Sequence, residues 1–133
     1  MTSSTVGAGS RTGHGTSGSA PEVLAVPREA VDRLPWEPLA GSPSVTTKVI
    51  CTADEDVAGL LRLAPGAQEA RHLHGSGEHH VWVLSGTVLV EGDPLPAGSY
   101  LHVPRGVLHD LRDAGAGSTL FYVFHSTSAA APR

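Results

Sequence analysis

The chain has 133 residues, a formal net charge of −4, 40% apolar residues, sixteen glycines and ten prolines. That length supports one domain around one core, and the glycines and prolines favour short strands joined by turns over long helices. Lys48 is the only lysine and the eight arginines are scattered, which excludes the clustered positive surface that nucleic acid requires.

No apolar run is long enough to span a bilayer, and the N-terminus lacks the charged-then-apolar layout of a signal peptide. Cys51 has no second cysteine to pair with, which fits a reducing compartment. A cytoplasmic protein without nucleic-acid or membrane partners is therefore expected.

Residues 1–20, "MTSSTVGAGSRTGHGTSGSA", hold almost nothing but small and polar side chains. They cannot bury enough surface to offset their ordering entropy, so a disordered tail is expected there. The folded domain is expected over 21–127. "REAVDRLPWEPL" predicts a helical turn that Pro35 and Pro38 cut short, with Trp36 packed over one end of the core. Alternating, β-branched stretches follow: "SVTTKVIC", then "VAGLLRL" closed by Ala64-Pro65-Gly66. "HHVWVLSG" and "TVLVEG" read as a hairpin around Ser85-Gly86. "SYLHVP" and "TLFYVFH" complete the set. Many short strands with turns between them predict an all-β sandwich or closed barrel.

Six of the eight histidines fall between positions 72 and 109. Alternate side chains of a strand share a face, so His72 and His74 aim at one point, as two ligands of one metal ion would. His109 follows a Pro-Gly turn at a strand start. Neutral imidazole is a ligand for Zn, Fe, Ni, Cu and Mn. Among the remaining histidines, His80 reads as a surface residue, and His125, ending the last strand, reads equally as solvated or functional. His102 reads first as an exposed strand residue, then as a pocket wall.

With these spacings the chain resembles the cupin superfamily. Gly66, five residues, His72-Leu73-His74 and a closing Gly86 match the first cupin motif. Gly98, Pro104, Gly106 and His109 match the second at every spacing, with Asp113 standing where the motif has Asn. The resemblance implies a single jelly-roll β-barrel. At the motif's glutamate the chain departs from the pattern. Counting back from Gly86 with six intervening residues reaches His79, which puts Val81 and Val83 on the inward face and Glu78, His80 and Trp82 on the other. The rival register makes Glu78 the third ligand but breaks the second half of the motif. A one-residue slip reverses the whole strand, and the spacing favours His79. Some small cupins hold their metal with four histidines, and the resemblance implies His72, His74, His79 and His109 as that set here.

Four neutral ligands leave the full charge of a divalent ion uncompensated, which favours an anionic or enolisable oxygen ligand. The resemblance implies one divalent transition metal (Fe, Mn, Ni, Cu or Zn) and a small-molecule substrate, with a dioxygenase of diketones or phenolic compounds as the first expectation. A zinc-dependent polyketide cyclase or isomerase is the second, with Glu78 as its general base. A non-enzymatic small-molecule or metal sensor is the third. Val81, Val83, Tyr100 and His102 are the expected substrate contacts. By analogy with other cupins, residues 21–50 could pair two subunits as a homodimer.

Overall fold

The computed structural model describes residues 22–72, 77–107 and 109–126, leaving out the side chains of residues 70–72. The expected tail of residues 1–20 lies outside the described residues. Among the described residues one short helix, α1 (Arg28–Arg33), precedes ten strands. In chain order these are β1 (Glu37–Leu39), β2 (Ser42–Ala53), β3 (Asp56–Leu63), β4 (Gln68–His72) and β5 (Gly77–Ser85), then β6 (Thr87–Val90), β7 (Asp93–Pro96), β8 (Tyr100–Val103), β9 (His109–Asp113) and β10 (Ser118–Ser126). No helix among the described residues is long and apolar enough to cross a membrane.

The strands form two sheets. Six run in the order β1-β2-β3-β10-β5-β8, and four in the order β4-β9-β6-β7. The expected barrel is therefore not closed; the two sheets make a jelly-roll sandwich, each burying one face as alternation along its strands dictates. Val45, Leu61, Leu63, Val81, Val83 and Leu120 from the larger sheet meet Val88 and Leu111 from the smaller one in the core.

The expected hairpin at Ser85-Gly86 is also corrected. β5 pairs with β10 and β8, whereas β6 pairs with β7 and β9. The chain thus leaves one sheet and enters the other at Gly86. This residue has φ +82, a region open to glycine at no steric penalty. A Cβ there would collide with the Gly117 carbonyl oxygen and with Ser118. A close backbone crossing, and not a tight turn, explains the glycine.

Trp36 lies on the outer face of the larger sheet and not over an end of the core. Its ring carries the Lys48 ammonium 4.7 Å from its centroid and the Arg62 guanidinium at 4.0 Å. Lys48 is buried beneath this cover and donates to the Val31 carbonyl at 2.9 Å. A charge on an otherwise open sheet face thereby ties α1 to β2.

Asp113, at the end of β9, is 1% exposed. Its Oδ2 accepts from the amides of Gly66 (2.9 Å), Gly115 (2.7 Å) and Gly117 (2.9 Å), and its Oδ1 accepts from the Ser118 hydroxyl (2.7 Å). Burial alone would raise its pKa, but the hydrogen bonds from Gly66, Gly117, Ser118 and Gly115 outweigh it and hold the carboxyl below its ordinary value. Replacing Asp113 with Ala strands several donors, so Asp113→Ala is expected to lose about 3–5 kcal/mol in urea unfolding, and Asp113→Asn less. The folded carboxyl holds its proton more weakly than the unfolded one. Its contribution is therefore complete above the unfolded pKa of ~3.9 and is lost as pH falls through the lowered folded value. The wild type should weaken over that acid range more steeply than Asp113→Asn.

Candidate functional site

A cavity of about 440 Å³ opens between the sheets. Leu61, Val81, Leu101, Val103, Leu111 and Phe124 give it apolar walls. Its carboxylate and imidazole lining among the described residues is Glu69, His79 and His109. Each reaches the cavity by a different route.

His79 stands on β5 between Glu78 and His80. It pairs with Phe124 on β10 and Val103 on β8, so all three share the inward face. Its ring lies edge-on to Phe124 at 5.3 Å and to Tyr122 at 5.9 Å between centroids, contacts that fix its orientation. The Tyr122 hydroxyl is in turn 3.2 Å from Thr47 Oγ1. His109 opens β9 and is 6% exposed. Its ring is 6.5 Å from that of His79, nearly perpendicular at 85°.

Glu69 was not legible as a site residue. Strict alternation puts residue 69 on the opposite face from residue 72. The β4–β9 ladder, however, slips between Glu69 and His72. As a result residues 69 and 72, three apart, both stand opposite alternate residues of β9, Leu111 and His109. A bulge re-aims a strand in this way. Glu69 is 8% exposed and lines the cavity.

Two of the four expected ligands, His79 and His109, meet at this cavity. His72 is opposite His109 in the backbone register, but its side chain, and all of His74, lie outside the described residues. Of the expected substrate contacts, Val81 lines the cavity, while Val83 is buried in the core beyond it. Tyr100 and His102 are on the far face of the sheet. They pair with Trp82 and His80 on β5, the residues whose side chains alternate away from the cavity, and Tyr100 is 45% exposed.

Glu78 also lies on that outer face, where the His102 Nε2 is 2.5 Å from its Oε1. The hydrogen bond from His102 holds its carboxyl below the ordinary value. A base for cavity chemistry cannot act from there, because the sheet intervenes. Glu69 is the carboxylate that reaches the cavity.

The ChrR cupin-like domain model matches residues 28–129. The chain belongs to this family. It is similar to the beta-alanine degradation protein BauB of Pseudomonas aeruginosa, at 34% identity over 89 residues that cover 62% of this chain and 94% of BauB. Among solved cupin-fold structures, the polyketide cyclase RemF of Streptomyces resistomycificus superposes with a TM-score of 0.64 at 20% identity, covering 71% of this chain and 75% of RemF. The anti-sigma ChrR of Rhodobacter sphaeroides, solved in complex with SigE, gives 0.62 at 22% identity and covers 71% of this chain and 50% of ChrR. At such identities the structural likeness speaks for the fold, and a cupin fold hosts unrelated activities.

The inward seat of His79 depends on the close approach of β5 and β10 at Gly77. A Cβ there would stand 2.5 Å from the His125 carbonyl oxygen and 2.5 Å from Phe124 Cζ. Gly77→Ala is expected to displace the Phe124 ring from His79 and to lower stability by about 1–3 kcal/mol. Thermal unfolding measures the loss, and the imidazole resonance of His79 reports the ring's movement.

Proposed function

We propose that this cupin is a metal-dependent enzyme acting on a small chelating or enolisable organic compound, with oxygenase-type chemistry. The cavity carries the reading. Its volume of about 440 Å³ falls in the range of small-molecule sites, and apolar walls surround two imidazoles and one carboxylate. A filled barrel would have argued for a structural module.

One ion of Fe, Mn, Ni, Cu or Zn would be held by His72, His74, His79 and His109. The donor chemistry fits: His79 and His109 line one cavity with their rings 6.5 Å apart, and imidazole suits all of these metals. When bound, such an ion supplies positive charge that polarises chelating oxygens and, if redox-active, a route for electrons.

The remaining chemistry belongs to the chain. Val81, Leu101, Val103 and Leu111 receive the carbon skeleton and exclude water, which strengthens each polar contact inside. Glu69 can take a proton from an acidic C–H or O–H of the substrate at a carboxylate oxygen and return it later. Tyr122, held by Thr47 and by the His79 ring edge, offers a hydroxyl for orientation. A second reading, a zinc-dependent cyclase or isomerase, is favoured by Glu69 itself, because proton transfer at a carboxylate needs no redox metal.

Metal analysis of protein purified without added metal, followed by oxygen uptake with β-diketones and catechols, tests the proposal. Iron, nickel, copper or manganese with oxygen consumption supports the oxygenase. Zinc without oxygen consumption moves the assignment to the cyclase. Tight ligand binding without turnover makes the chain a sensor. Glu69→Gln should lower turnover by ~10²–10⁴-fold. In a His80→Ala/His102→Ala background, which removes the outer imidazoles, His79→Ala and the His72→Ala/His109→Ala pair should each strip the metal, and Glu78→Ala should not. Metal retained after loss of His72 and His109 would remove the cavity site altogether.

A further inference from the structure

The outer face of β5 and β8 carries a separate group of donors. Glu78 and His80 are two apart on β5 and so project to one side. His102 stands directly opposite His80 on β8, where side chains of a cross-strand pair lie within contact. The two imidazole rings stack at 4.8 Å between centroids and 14° between planes. Glu78 Oε1 is 2.5 Å from His102 Nε2, and one ligating atom from each of the three residues lies within 4.8 Å of the others.

The geometry points to a second, surface metal site formed by Glu78, His80 and His102, selective for a divalent transition ion such as Zn²⁺, Cu²⁺ or Ni²⁺. Two nitrogens and one oxygen match those ions and not Ca²⁺ or Mg²⁺, which take oxygen donors throughout. Zinc bonds of ~2.0–2.2 Å place tetrahedral ligand atoms roughly 3.3 Å apart. The trio reaches that spacing by rotations of side chains at an exposed face, with the strand backbones fixed by their ladder.

Tyr100 completes the arrangement. Its hydroxyl is 2.6 Å from His80 Nδ1, which leaves Nε2 as the nitrogen open to a cation. Metal-bound histidines commonly have their other nitrogen held in this way, which orients the ring and raises its basicity. Three protein ligands leave a fourth position to water or to a donor arriving from outside. His125 faces Glu78 from β10, but its Nδ1 is turned to Asp56 Oδ2 at 3.3 Å, so it stands outside the trio.

This site is independent of the cavity. In the run Glu78-His79-His80 the middle residue points between the sheets and the outer two point away, so β5 serves two positions from opposite faces.

Zinc alone is the probe, added to metal-stripped protein and followed by calorimetry and metal analysis. The His79→Ala/His109→Ala variant is expected to keep one equivalent of zinc, and the further changes His80→Ala and His102→Ala to remove it. Added to the wild type, those last two changes lose one equivalent, while His125→Ala loses none. Glu78→Gln, isosteric at a partly exposed position, should weaken the outer site at least about tenfold and needs no refolding of the sheet. If the cavity holds no metal, the wild type binds one equivalent and the His80→Ala/His102→Ala variant none, so the two proposals fail separately. Zinc binding of unchanged stoichiometry and affinity in both His80→Ala/His102→Ala and Glu78→Gln would overturn the site.

Discussion

The buried carboxylate of Asp113 is the interaction on which the rest of the architecture depends. Two stretches far apart in sequence must be brought together: the turn before β4, ending at Gly66, and the β9–β10 connection with Gly115, Gly117 and Ser118. Asp113 gathers a donor from each of these residues on its two oxygens. Its own amide donates to the Ala67 carbonyl at 2.8 Å, the first step toward the β4–β9 ladder. An asparagine offers one acceptor oxygen and two donor hydrogens, a poorer match to four converging donors. The aspartate that stands in place of the motif's asparagine therefore carries the charge that suits this cluster. It also anchors the near end of that ladder, where Gln68 stands opposite Arg112 and Glu69 opposite Leu111.

Alternation along β5 then divides the chemistry. Its inward residues, His79, Val81 and Val83, pass from cavity to core. Its outward residues, Glu78, His80, Trp82 and Leu84, form a face that the other described residues leave open, with Trp82 44% exposed beside Tyr100. By contrast α1 and Trp36 cover the β2–β3 part of the same sheet. One strand thus carries an apolar-walled site on one side and a solvated imidazole pair on the other. A slip of one residue would exchange the two, placing Glu78 and His80 between the sheets and His79 in water.

This explains which features were legible beforehand. Motif spacings fix Gly66, Gly86, His79 and His109 because they record turns and faces, and those are local. The hairpin expected at Ser85-Gly86 failed because a turn residue between two alternating runs looks the same whether the strands pair or part; only the contact of Gly86 with Gly117 and Ser118 decides. Glu69 escaped because the bulge in β4 breaks the period of two on which any reading of faces relies. The Glu78–His80–His102 group was invisible for a different reason. His80 and His102 lie twenty-two positions apart, and only the antiparallel register of β5 and β8 makes them neighbours.

The placement of the clamp relative to the site has a mechanical consequence. Asp113 closes β9 and His109 opens it, four residues away, a span of roughly 13 Å for an extended strand. The strand is anchored by hydrogen bonds at one end and presents an imidazole to the cavity at the other. His79 is held similarly, within a strand paired on both sides and wedged by the rings of Tyr122 and Phe124. Groups mounted on paired strands keep their separation better than groups on loops, so the distance between these two imidazoles is a property of the sheets. Glu69 sits beside a bulge, where the ladder is locally broken, and has more latitude. That division suits a site in which two groups must stay fixed while a third carries a proton to and fro.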